Sequence, residues 1–112
     1  MKVNGGCFCG ELRYEAQIDP GKTGICHCRD CQRFSGSAFR TIAVVRPEQF
    51  AFTSGDPSFF EKTGASAGVR KTAFCGACGS HICSLPGDGS ADVVSLRFIT
   101  ADNVGDLTPK ME

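Results

Sequence analysis

The spacing of the cysteines constrains this chain more than any other feature of its sequence. Eight cysteines occur in 112 residues, and all but Cys83 fall into tight groups. The groups are Cys7 with Cys9, then Cys26, Cys28 and Cys31, and finally Cys75 with Cys78. Cysteines separated by one or two residues can direct their sulfur atoms at one ion, so the pattern predicts metal binding.

Disulfide formation and simple core packing are the two roles of cysteine that compete with metal binding here. A disulfide framework needs an oxidising compartment, and residues 1–6 contain no apolar core of a signal peptide. We therefore expect a cytoplasmic protein with reduced thiols. Cysteines that only fill a core as small apolar residues would show no regular spacing. Metal binding accounts for the groups better than either alternative.

Short segments of alternating or β-branched residues predict a mainly β fold. In Glu11–Ile18 apolar and polar residues alternate, as they do in Val94–Phe98. Other predicted strands are Ala38–Val45, Ser58–Thr63, Arg70–Phe74 and His81–Leu85, with single helical turns at Arg29–Phe34 and Pro47–Phe50. No linker divides the chain, so we expect residues 1–112 to form one small domain of antiparallel strands that a metal stabilises.

Two of the cysteine groups predict a closed metal site. Cys75 and Cys78 lie in a Cys-Gly-Ala-Cys-Gly turn, where the glycines give the backbone the freedom to direct both sulfurs at one ion. Cys7 and Cys9 are the natural source of the other two ligands. This four-cysteine site has no open position, so its expected role is structural, and it closes a long loop of the chain.

The remaining group, Cys26, Cys28 and Cys31, offers three thiols for a second zinc ion. A closed site would need a fourth ligand, for which His81 and Cys83 are candidates. His27 would point away if residues 25–28 are extended, because neighbouring side chains in a strand face opposite sides. Without a fourth protein ligand, one position is open to water or a substrate. Three sulfur ligands suit a soft thiolate in that position.

Three motifs give the sequence a resemblance to a known family. They are Gly6-Cys7-Phe8-Cys9-Gly10 followed by Arg13-Tyr14, Cys26-His27-Cys28-Arg29-Asp30-Cys31 with Gly36–Phe39, and Phe74-Cys75-Gly76-Ala77-Cys78-Gly79-Ser80. In this order they resemble the glutathione-dependent formaldehyde-activating enzyme family, which includes the centromere protein V group. The resemblance covers roughly residues 5–85, with a weaker similarity in residues 94–107.

The resemblance implies an Mss4-like, tent-shaped β fold with two zinc ions. It implies a structural zinc at Cys7, Cys9, Cys75 and Cys78, and an active-site zinc with an exchangeable position at Cys26, Cys28 and Cys31. The activity that it implies joins glutathione to formaldehyde, formally the reverse of a carbon–sulfur lyase reaction. A non-catalytic zinc-binding structural or interaction module is the alternative, in which Cys83 or His81 closes the second site.

Several other residues near the three-cysteine group have two possible roles. Arg29, Arg33 and Arg40 can pair with a carboxylate or be ordinary surface charges. Ser37 and Phe39 can line the mouth of a site, or serve as a turn residue and a core aromatic. His27 can move a proton or simply face solvent.

Charge and hydropathy argue against two classes of partner. Twelve basic residues balance twelve acidic ones, Trp is absent, and no basic stripe indicates a nucleic-acid surface. The longest apolar stretch, near Ile42–Val45, is too short to cross a membrane. The partners that the family resemblance implies are a small thiol such as glutathione and a small aldehyde.

Overall fold

The computed structural model describes residues 1–64 and 68–106, which form nine strands and one α-helix. All strand pairs are antiparallel, so the predicted mainly β fold is confirmed. The strands are β1 (Lys2–Gly6), β2 (Arg13–Gln17), β3 (Thr23–Cys26), β4 (Arg40–Val45), β5 (Phe50–Ser54), β6 (Ser58–Gly64), β7 (Gly68–Phe74), β8 (His81–Pro86) and β9 (Val94–Leu96), and the helix α1 is Arg29–Ser35. Residues 65–67, which lie between the predicted strands Ser58–Thr63 and Arg70–Phe74, are outside the described residues. Residue 107, the last residue of the weaker family similarity, is outside them too.

The strands form two sheets. The smaller sheet has the order β1-β2-β5, and the larger one has the order β3-β4-β9-β8-β7-β6. The predicted alternation around β2 is confirmed, because Leu12, Tyr14, Ala16 and Ile18 are buried whereas Glu11, Glu15 and Gln17 are exposed. An alternating strand of this kind covers a core with one face and meets water with the other.

One hydrophobic core takes its residues from both sheets. Its largest fully buried side chains include Tyr14 of the small sheet, Ile82 and Leu96 of the large sheet, and Phe98 after β9. The Tyr14 hydroxyl lies 2.7 Å from Thr100 Oγ1 and thereby ties the small sheet to the segment that follows β9. Burial of these side chains in one cluster holds the two sheets in a fixed relation.

Four segments differ from the predictions, and two of them are β1 and β3, which were not among the predicted strands. Phe98 does not continue β9, since it begins a 3₁₀ turn, Phe98–Thr100. Strand β5 was not predicted: Phe50 and Phe52 pack against the core, but they follow a 3₁₀ turn, Pro47–Gln49, and the run is short. In the described part of the chain, no helix has the length and apolar character needed to cross a membrane.

Candidate metal centres

The first cluster of cysteines lies where the two sheets meet. Cys7 and Cys9 follow β1, whereas Cys75 and Cys78 form the turn between β7 and β8. Their four sulfur atoms all lie within 4.8 Å of one another. The Cys7–Cys9 and Cys9–Cys75 sulfur separations are 3.6 and 3.7 Å, close to the ~3.8 Å that tetrahedral coordination with metal–sulfur bonds of ~2.3 Å requires. This cluster can therefore hold a metal ion with little movement.

The turn between β7 and β8 is shaped by its two glycines. Gly79 adopts a φ of 81°, which side chains strongly disfavour, and its amide donates to the Cys75 carbonyl at 2.8 Å. At Gly76 a β-carbon would lie 2.8 Å from Ser58 Oγ, so a larger residue there would require the Ser58 hydroxyl to move. The Cys78 amide donates to Cys75 Sγ at 3.4 Å. An N–H directed at sulfur favours the thiolate that a metal binds.

Ser80 connects the two halves of this cluster. Its hydroxyl oxygen accepts a hydrogen bond from the Phe8 amide at 3.0 Å and lies 3.3 Å from Cys78 Sγ. Hydrogen bonds from the Ser80 hydroxyl and backbone lower the pKa of Cys78 to about 5. No role was predicted for Ser80, since nothing in the sequence shows that Phe8 lies beside it.

The second cluster forms at the start of α1. Cys26 ends β3, Cys28 is the N-terminal cap of the helix, and Cys31 lies in its first turn. Their sulfur atoms lie within 4.8 Å of one another, and Cys28 and Cys31 are 3.0 Å apart. The latter two would have to move apart slightly to share a metal ion. Cys28 is exposed and sits at a helix end, so its side chain has room to do so.

Three thiols, and no further ligand type, make up this second cluster within residues 1–64 and 68–106. His27 is exposed and its ring lies 6.3 Å from that of Phe39. His81 packs against Phe34 and Phe74 instead of joining the sulfurs. Cys83 is fully buried in β8, and burial raises the pKa of its thiol to about 12. The structure thus brings neither of the two candidate fourth ligands, His81 and Cys83, to the cluster.

The three arginines considered from the sequence have different surroundings. Arg29 donates to the Gln32 side chain at 3.1 Å, and Arg33 is exposed. Arg40 lies opposite Cys26 in the β3–β4 ladder. Ser37 is a turn residue whose amide donates to Ser35 Oγ, while Phe39 is partly exposed beside the cluster.

One polar residue near the cluster was placed on the wrong side by sequence reasoning. Arg97 was expected to alternate outward from Val94, Leu96 and Phe98, yet it is only 4 % exposed. Its position changes because β9 ends at Leu96 and the backbone turns before Phe98. A charged residue in an alternating segment gives no sequence signal that would reveal this burial.

Comparison with known proteins gives a family and a related structure. A family model described as glutathione-dependent formaldehyde-activating enzyme matches residues 2–112. A crystal structure of a Rhodobacter sphaeroides protein is similar to this chain with a TM-score of 0.76 and 17% sequence identity, covering 97% of this chain and 98% of that one. The search of curated proteins gave no match. Because the family model spans nearly the whole sequence, this chain belongs to the glutathione-dependent formaldehyde-activating enzyme family.

Proposed function

We propose that this protein is a zinc-dependent enzyme that forms a carbon–sulfur bond between a small thiol, such as glutathione, and a small aldehyde, such as formaldehyde. The observation that carries the proposal is the cluster of Cys26, Cys28 and Cys31, which has three thiols and no fourth protein ligand in the described part of the chain. Zinc sites that act in catalysis keep such an open position, whereas structural sites are closed.

The proposed reaction conserves all atoms and needs no oxidant or reductant. The sulfur of the thiol attacks the carbonyl carbon, a carbon–sulfur bond forms, and the carbon–oxygen π bond breaks. The proton of the thiol ends on the former carbonyl oxygen, which gives an S-hydroxymethyl adduct when the aldehyde is formaldehyde. A zinc ion held by the three cysteines would supply stabilisation of the thiolate form of the substrate.

The chain's own residues support a negatively charged sulfur beside this cluster. Arg40 lies across the ladder from Cys26, and its charge opposes the burial and the thiol contacts that raise the pKa of Cys31. Positive charge within a few ångströms favours the ionised form of a thiol. Phe34 and Phe39 border the adjoining cavity and would limit the access of water to a bound substrate.

The first cluster has a separate role in this proposal. Cys7, Cys9, Cys75 and Cys78 would hold a structural zinc ion that joins the end of β1 to the β7–β8 turn. The four sulfurs lie within 4.8 Å of one another, and a zinc ion with four cysteine ligands has no position left for a substrate. The enzyme would accordingly contain two zinc ions, of which one is needed for the reaction.

The proposal can be tested by exchange NMR with ¹³C-formaldehyde and glutathione. The measured quantity is the rate of adduct formation above the rate without protein, using protein loaded with zinc. We expect wild type and Cys83→Ala to accelerate the reaction. In Cys28→Ser the rate above that without protein should fall at least tenfold. Equal rates for wild type and Cys28→Ser would contradict the proposal. No acceleration together with slow zinc exchange at both clusters would favour a structural module.

A further inference from the structure

A cavity of about 310 Å³ opens beside the three-cysteine cluster. Its apolar walls come from Phe34 of α1, Phe39 and the exposed Ile99, and Arg40, His81 and Arg97 add polar groups. The volume is within the range of pockets that bind small molecules. The cavity therefore combines an apolar lining with three nitrogen-bearing side chains.

Arg97 is the most deeply buried charged group of this cavity. Its Nη1 donates to the Ser95 carbonyl at 2.8 Å and to Ser95 Oγ at 3.3 Å. Its Nε and Nη2 are buried and have no hydrogen-bond partner among residues 1–64 and 68–106. Burial and the nearby charge of Arg40 lower the pKa of Arg97 to about 9. A guanidinium in such surroundings is missing the acceptors that normally accompany its burial.

Arg40 and His81 lack acceptors on the same cavity. In the part of the chain that the structure describes, Nε and Nη1 of Arg40 and Nδ1 of His81 are buried without hydrogen-bond partners. The Arg40 guanidinium lies 5.6 Å from the centre of the Phe34 ring. Within the described residues, no carboxylate forms an ion pair with Arg40 or Arg97. Two like charges beside each other repel, so this arrangement favours an anion between them.

We propose that this cavity binds the carboxylate group of a small organic acid through Arg40 and Arg97, with the hydrocarbon part of the acid against Phe34, Phe39 and Ile99. Guanidinium groups bind the two oxygens of a planar carboxylate with paired N–H donors. The apolar lining favours an organic acid over inorganic phosphate, which would have no group to place against the aromatic rings.

The position of the cavity indicates which acid it takes. Arg40 is the ladder partner of Cys26, so an anchored carboxylate lies close to the cysteine cluster. One molecule that carries both a carboxylate and a thiol can occupy the two sites together. The acid is then the thiol substrate itself, and this second step rests on the proposed function, whereas binding of the carboxylate does not.

Carboxylate binding can be tested without any thiol. Butyrate is titrated into the protein while the Nε–H resonances of the arginines are followed by NMR, with butyramide as the neutral matched probe. We expect butyrate to shift the Arg40 and Arg97 resonances with saturation, and butyramide to shift neither. Arg40→Gln should weaken butyrate binding at least tenfold, and Arg46→Gln, which removes an exposed arginine paired with Glu48, should not weaken it.

Each other result of this titration overturns the carboxylate site. No saturable shift means that the guanidinium charges serve only the neighbouring thiolates. Inorganic phosphate binding as tightly as butyrate means a site for any oxyanion. Arg97→Lys is a second variant, which keeps the positive charge and should also weaken the binding of butyrate. Arg40→Gln remains informative if Arg97→Lys fails to fold.

The link to the thiol substrate needs a separate comparison. Formation of the formaldehyde adduct is measured with 3-mercaptopropionate and with its neutral amide, both corrected for the rate without protein. We expect the carboxylate to be preferred at least tenfold in wild type, and this preference to disappear in Arg40→Gln. Equal acceleration of both thiols overturns the link but leaves the proposed function intact. If the protein accelerates the reaction of neither thiol but still binds butyrate, the proposed function is contradicted and the link is lost. The carboxylate site is then still supported.

Discussion

The sulfur of Cys28 accepts a hydrogen bond from the backbone amide of Cys31 at 3.3 Å. The same side chain therefore caps α1 and belongs to the three-cysteine cluster. The thiol–thiol hydrogen bond with Cys31 lowers the pKa of Cys28, and burial together with that bond raises the pKa of Cys31 to about 12. Because capping and metal binding depend on different properties of the side chain, substitutions can separate them.

Replacement of Cys28 by Ser or by Ala should have one effect in common and one that differs. Both variants should lose about one metal ion per chain, because neither offers a thiolate. Ser can still cap α1 through its hydroxyl, so Cys28→Ala should be less stable than Cys28→Ser by about 1 kcal/mol. Metal analysis and urea unfolding without metal measure the two effects. An unchanged metal content in both variants would exclude Cys28 as a ligand.

Removal of metal should destabilise the fold chiefly through the four-cysteine cluster. Chelation disconnects the end of β1 from the β7–β8 turn, so we expect it to lower the free energy of unfolding by at least about 4 kcal/mol. Cys9→Ser should already have a lower free energy of unfolding, and chelator should lower it little further. Cys83→Ala is the matched control, and it should stay sensitive to chelator. A full chelator effect in Cys9→Ser would show that the cluster holds no stabilising metal.

The four-cysteine cluster could be assembled from the sequence because its ligands come in close pairs. A Cys-x-x-Cys turn has few structural uses, and Cys7 and Cys9 were the obvious pair to complete it. The alternation of Leu12, Tyr14 and Ala16 likewise gave β2, because one buried face is enough to set a period of two. Local pattern carries this information without knowledge of the tertiary fold.

The cavity could not be predicted, because its polar groups come from distant parts of the chain. Arg40 begins β4, His81 begins β8 and Arg97 follows β9, and only the sheet order β4-β9-β8 makes them neighbours. The end of β9 at Leu96 also reverses the expected side of Arg97. Strand order and strand ends depend on long-range packing, which a single sequence does not show.

The hydrogen bond between Tyr14 and Thr100 should contribute measurably to stability. Tyr14→Phe removes one buried bond, whereas Thr100 Oγ1 keeps its bond to the Arg97 carbonyl at 2.8 Å. We expect a loss of about 1 kcal/mol. Thr100→Val should cost about 2 kcal/mol, because it removes both bonds and leaves the buried Tyr14 hydroxyl without a partner. Urea unfolding with unchanged metal content measures both losses, and the opposite order would contradict this assignment of the two bonds.

His81 should make stability depend on pH. Burial, with the charges of Arg97 and Arg40, lowers the pKa of His81 in the folded protein below its ordinary value of 6.5. The unfolded chain then binds more protons, so this contribution is complete above pH 6.5 and is lost as the pH falls through the folded pKa.

The dependence can be measured as a difference between variants. His81→Gln should lose less stability than wild type when the pH falls from 7.5 to about 5.5. In an NMR titration, Arg40→Gln should raise the pKa of His81, while Arg46→Gln should leave it unchanged; His27→Gln assigns the resonances. A His81 pKa above 6.5 would be inconsistent with unpartnered cationic neighbours around the ring.

The reactivity of the thiols should follow their exposure once metal has been removed. Cys28 is exposed and the thiol–thiol hydrogen bond with Cys31 lowers its pKa, so iodoacetamide should modify Cys28 early in the folded, metal-free protein. Cys83 is fully buried and burial raises the pKa of its thiol to about 12, so it should react only after unfolding. Mass spectrometry of peptides taken during labelling gives the order. Labelling of Cys83 can also be compared with and without metal under unfolding conditions that expose it in the metal-free protein. If metal protects Cys83 there, Cys83 is a metal ligand and the second cluster is closed.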